Sequence, residues 1–85
     1  MNPFTVTIHV TQEDILRGEK RMCQHCPVAL ALQRATGTVF RVGEHEATRH
    51  DYRAKARLPM ALQHWIRAFD NGEPVKPIEA TLEFK

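Results

Sequence analysis

Residues 4–10 alternate without interruption, with Phe4, Val6, Ile8 and Val10 on one side and Thr5, Thr7 and His9 on the other. A two-residue period is that of a strand with one buried face, because successive side chains of extended backbone point to opposite sides. The last stretch repeats the pattern: Ile78, Ala80, Leu82 and Phe84 alternate with Glu79, Thr81 and Glu83. Both ends of the chain are therefore expected in sheets with one apolar face.

The segments between them change period. Thr11 is placed to cap a short helix with Asp14 at its third position, and Gly18 offers a left-handed residue to end it; Ile15 and Leu16 are its apolar anchors. A polar, basic connection runs to Gln24, after which Pro27 opens a second helix that Gly37 closes, with Val28, Ala31, Leu32 and Ala35 as its inward stripe. Thr38 to Val42 reads as a strand, followed by a polar turn around Glu44 and His45. Tyr52 to Leu58 reads as another, with small residues inward, Arg53, Lys55 and Arg57 outward, and an N-terminal boundary open from Glu46 onward. Pro59 starts a third helix carrying Leu62, Trp65, Ile66 and Phe69 on one face, and Asn71-Gly72 ends it. The order β-α-α-β-β-α-β predicts a single two-layer α+β domain over residues 1–85, with helices on one face of a mostly antiparallel four-stranded sheet.

Eighty-five residues bury only about 60% of the surface an unfolded chain exposes, so the core is thin and a deep substrate pocket is not expected. The formal charge of +2 is too small to name a partner, but it is unevenly spread. Between Arg17 and Arg57 stand nine basic residues against four acidic ones. On a strand, Arg53, Lys55 and Arg57 would project from one face about 7 Å apart. Arg41 on the preceding strand, and Arg49, add to this basic middle. Such a ladder suits an acidic or nucleic-acid-mimicking protein surface, or a phosphate backbone. The plainer alternative is that these cations keep a strand face solvated and unpaired. No aromatic residue interleaves with the ladder for base stacking, and Trp65 and Phe69 are read as core. An exposed sheet face also leaves a second copy of the chain as a candidate partner, in a symmetric dimer.

No apolar run approaches the roughly 18 residues that span a bilayer, and the first ten residues alternate too strictly for a signal peptide. A cytoplasmic protein without a membrane role is expected, and two closely spaced Cys agree with a reducing compartment. Those two lie in CQHC. Cys23 and Cys26, with His45 and His50, are the right residue types for a tetrahedral zinc. Yet eighteen residues separate Cys26 from His45 where a two-Cys, two-His finger has about twelve, and helix precedes strand, so structural roles for both Cys are favoured and no cofactor is expected. A thioredoxin-like role fits poorly, since the motif follows a polar loop and its second Cys, not its first, stands at the helix start. The chain has no Ser, its five His residues are scattered, and no Gly-rich phosphate loop occurs. A non-enzymatic binding protein is the expectation.

The segments VTQEDILRG, CPVALALQRATG and LPMALQHWIRAFDNGEPVKP together resemble a family of small, largely uncharacterised proteins of bacteria, phages and prophages. The resemblance covers most of the chain and rests on helix caps, turns and packing positions. It implies a shared fold and carries no catalytic residue across. A phage or prophage origin would imply a compact protein that binds and blocks a host protein or nucleic-acid complex, defence systems included.

Overall fold

The computed structural model describes residues 3–85. In chain order the elements are β1 (Phe4–Val10), α1 (Gln12–Arg17), α2 (Pro27–Thr36), β2 (Phe40–Val42), β3 (Glu46–Arg49), β4 (Lys55–Arg57), α3 (Met60–Asp70) and β5 (Ile78–Phe84). The two alternating ends find each other: β1 and β5 pair antiparallel along their whole length, with Phe4 opposite Phe84 and Val10 opposite Ile78. A second sheet, β2-β3-β4, is a three-stranded antiparallel meander. The domain is α+β as expected, with five strands in two sheets in place of one four-stranded sheet.

The extra strand comes from splitting the expected Tyr52–Leu58 strand and its undefined approach. Glu46–Arg49 forms β3, and the chain then turns back through residues 50–54. Arg49 Nε and Nη2 donate to the two carboxylate oxygens of Asp51 at 2.8 and 2.7 Å, the Tyr52 N–H donates to the Arg49 carbonyl, and Tyr52 takes φ 63°. A left-handed tyrosine cannot continue a strand, so β4 is confined to Lys55–Arg57. The expected Thr38–Val42 strand likewise shortens to Phe40–Val42.

A reciprocal pair of backbone hydrogen bonds, Lys85 N–H to Lys55 carbonyl at 3.0 Å and Lys55 N–H to Lys85 carbonyl at 3.3 Å, clasps β4 to the end of β5. The strands therefore follow one another in space as β2-β3-β4-β5-β1. Their inner faces share one core of Ile8, Val10, Phe40, Val42, Ala47, Ala56, Leu82 and Phe84 with Val28, Ala31 and Leu32 of α2 and Leu62 and Ile66 of α3. Phe84 sits where the sheets meet, its ring stacked on Phe4 at 5.1 Å and tilted against Phe40 at 5.0 Å.

Two expected anchors point outward: Leu16 is 76% exposed and Ala35 is exposed, and Ala29 is buried in the α2 stripe with Val28, Ala31 and Leu32. Phe69 is buried, whereas Trp65 is only half-buried, stacked on Phe69 at 5.8 Å and donating its indole N–H to the Lys76 carbonyl. Gly37 ends α2 in the left-handed conformation, as expected, but Gly18 does not: its φ is −67°. Gly18 is needed for space, because a Cβ there would lie 2.5 Å from Cδ and Cγ of the buried Pro27. Gly18→Ala should cost about 1–3 kcal/mol through overpacking, read as a lower urea midpoint with unchanged slope.

α1 is fastened by a buried charge. Asp14 completes a capping box, accepting the Thr11 N–H on Oδ2 at 2.9 Å while the Thr11 hydroxyl accepts the Asp14 N–H. Arg34 of α2 then grips both carboxylate oxygens at 2.7 and 2.8 Å and donates to the His9 carbonyl at 2.6 Å. Burial alone would raise the Asp14 carboxyl, but the hydrogen bonds from Arg34 and Thr11 outweigh it and hold the group below its ordinary value. A depressed carboxyl contributes stability at neutral pH that is lost as pH falls below 3.8 and through the folded-state value. Arg34→Met leaves the carboxylate buried without its cation. With the guanidinium half exposed, the expected cost lies below that of a fully buried pair, at about 2 kcal/mol, and acid unfolding should begin at higher pH than in the wild type. A variant with wild-type acid unfolding would contradict this role.

Candidate interaction surface

Helices cover the inner side of the strands, and the outer side is polar throughout. Strand pairing brings cations from distant positions into one row. Arg41 of β2 lies opposite Thr48 of β3, Thr48 opposite Lys55 of β4, and Lys55 opposite Lys85. Adjacent strands are about 4.8 Å apart, so the row spans roughly 14 Å. Arg41, Lys55 and Lys85 are exposed, and none makes a salt bridge among the described residues. The next row is mixed: Arg57 faces Glu46, and Glu83 lines the same cleft of about 520 Å³.

The five basic residues singled out from the sequence thus divide. Arg41, Lys55 and Arg57 share the outer face. Arg53 lies in the β3–β4 turn, its N–H bonded to Asp51 Oδ1 at 3.1 Å, and lines a second cleft with Tyr52, Lys55 and Lys85. Arg49 does not join them, since it stands opposite Phe40 on the inner side and its guanidinium is committed to Asp51. Those hydrogen bonds hold the Asp51 carboxyl far below the usual carboxylate range.

The structure adds Lys85 and Tyr52. Lys85 continues the outward phase of the last strand, a signal present in the alternation itself. Tyr52 was expected on the inner face; the left-handed turn instead leaves it 69% exposed, with the Arg41 guanidinium 5.6 Å from its ring centre. An aromatic ring therefore does accompany the cations, contrary to the expectation from sequence.

The CQHC residues have other duties. Cys26 is the N-cap of α2, its Sγ accepting the Ala29 N–H at 3.4 Å. Burial pushes its thiol up, against the pull of the Ala29 and Val28 N–H groups. Cys23 is exposed, and its carbonyl accepts the Val42 N–H. His45 bonds through Nδ1 to Oε1 of the buried Gln63, whose Nε2 donates to the Leu58 carbonyl, while the His50 N–H bonds to the Val39 carbonyl. Among the described residues no three or more His, Cys, Asp and Glu side chains are grouped to hold a metal ion, so Cys23, Cys26, His45 and His50 do not form a tetrahedral set. No helix among them is long and apolar enough to cross a membrane.

No family model, curated protein or solved structure matches the chain.

The two thiols should differ sharply in reactivity. Iodoacetamide at mildly alkaline pH should add one alkyl group rapidly, on Cys23, and a second only after unfolding in denaturant. Equal rates on Cys23 and Cys26 by mass spectrometry would contradict the buried cap.

Proposed function

We propose that the protein is a non-enzymatic binding module that docks an acidic macromolecular surface, foremost that of a protein, on its outer sheet face. The observation that carries this reading is the Arg41–Thr48–Lys55–Lys85 row. Three cations, from β2, β4 and the residue that follows β5, converge on one face, and none of them makes a salt bridge among the described residues, although Glu46 and Glu83 stand in the adjacent row. A cation row meant only to solubilise a strand gains nothing from alignment across the sheet, whereas a partner's acidic groups do. In keeping with the family resemblance, the partner would be a host or defence-system macromolecule whose binding the module blocks.

A second reading, nucleic acid, is favoured by one observation: the exposed Tyr52 ring under Arg41 offers a stacking surface at the end of the row. Two probes separate them, a poly-glutamate peptide and a single-stranded oligonucleotide, each titrated at low and moderate salt. The triple variant Arg41→Glu/Lys55→Glu/Lys85→Glu should weaken binding of the favoured probe at least tenfold while retaining the wild-type circular dichroism spectrum. Tyr52→Ala should weaken only the oligonucleotide. Binding of either probe that the triple variant leaves unchanged would reject the row as the site.

A further inference from the structure

The clasp between β4 and β5 fixes which way every backbone group of β1 points. In an extended strand a residue's N–H and C=O point to the same side, and neighbouring residues alternate. Lys85 spends both groups on Lys55. Phe84, Leu82, Ala80 and Ile78 therefore turn theirs toward β1, and their partners Phe4, Val6, Ile8 and Val10 turn theirs back. The odd-numbered residues of β1 face outward, away from the sheet. The Arg34 hydrogen bond to the His9 carbonyl reaches that outward side and agrees with this phase.

Along that edge the capacity to pair is symmetric about Thr7. At one end Pro3 has no N–H. At the other, Thr11 has its N–H bound by Asp14 and its carbonyl by the Ile15 N–H. Between them Thr5 and Thr7 have no backbone partner among the described residues, and His9 has a free N–H and a carbonyl with one lone pair left. In an antiparallel two-fold arrangement centred on Thr7, the positions unable to pair, Pro3 and Thr11, fall opposite each other. The competent ones also match: Thr7 meets Thr7 of the second copy and Thr5 meets His9. Both faces agree as well. Inward, Val6 meets Ile8 and Phe4 meets Val10. Outward, only Thr and His meet, so no like charges oppose.

We infer that β1 is a homodimerisation edge, two copies joining through about six main-chain hydrogen bonds centred on Thr7. The opposite end of the strand series, β2, is only three residues long, and one of its outward groups, the Val42 N–H, is already held by the Cys23 carbonyl. It is a poorer edge than the seven-residue β1, so pairing at β1 is expected to stop at two copies. This proposal differs from a dimer formed face to face: it leaves the outer cation row of each copy open, and it stands whether or not that row binds a partner.

Sedimentation equilibrium of the full chain at micromolar concentration should return twice the chain mass. Thr7→Lys sets two like charges opposite each other on the outer face and should return the monomer mass with an unchanged circular dichroism spectrum. Hydrogen exchange supplies a readout that does not depend on a variant. The amides of Thr5, Thr7 and His9 should be protected like those of Val6 and Ile8, and that protection should fall on dilution. A monomer mass throughout, fast exchange at the three odd-numbered amides beside slow exchange at the even ones, or a dimer that persists in Thr7→Lys would each overturn the proposal.

Discussion

The antiparallel ladder between β1 and β5 is the interaction on which the rest of the domain depends. It joins segments from the two ends of the chain, so everything between them becomes a closed loop whose ordering costs entropy before any contact rewards it. The reward is concentrated in Phe84, fully buried where the ladder, the Phe4 ring and the Phe40 ring of the second sheet come together. Burying a side chain of that size is worth about 2–3 kcal/mol. The small residues of α2, Ala29 and Ala31, let that helix lie close beneath the strands. A thin core is thus made adequate by placing its aromatic residues at the junction of two sheets.

The clasp at Lys55 and Lys85 converts two small sheets into one continuous polar surface. Arg41 and Lys55 already share the face of the β2-β3-β4 sheet, and without the clasp Lys85 would belong to a separate one. With it they form one row, and the alternation that buries Phe84 is the same alternation that exposes Lys85. Packing and recognition are in this way two sides of a single backbone geometry: the core side sets the register, and the register sets the spacing of charge.

Much of this was legible in the residues, and the reasons for the rest are local. The long alternating strands, the Thr11–Asp14 cap, the Pro27 and Gly37 bounds of α2 and the apolar face of α3 each follow from a period or a cap that short-range physics dictates. The β3–β4 hairpin was hidden because its turn rests on an Arg49–Asp51 ion pair and a left-handed Tyr52; its one local signal is Asp51, whose Oδ1 accepts the N–H of Arg53 two residues on. That hidden turn placed Tyr52 inward in the expected strand and left Arg49 among the candidate binding residues although its guanidinium is committed to Asp51. Gly18 was assigned to a left-handed cap when its real constraint is the buried ring of Pro27, a contact between residues nine apart. The pairing of β4 with the end of β5 is long-range and left no trace in either segment alone.

The most direct test of recognition by the outer sheet face is a map of backbone amide chemical shifts on titrating a short acidic peptide into labelled protein. The account predicts that the largest changes fall on Arg41, Thr48, Lys55 and Lys85, with the buried face of α2 unmoved. Changes concentrated instead around Cys23 and Asp70, or along α3, would contradict it.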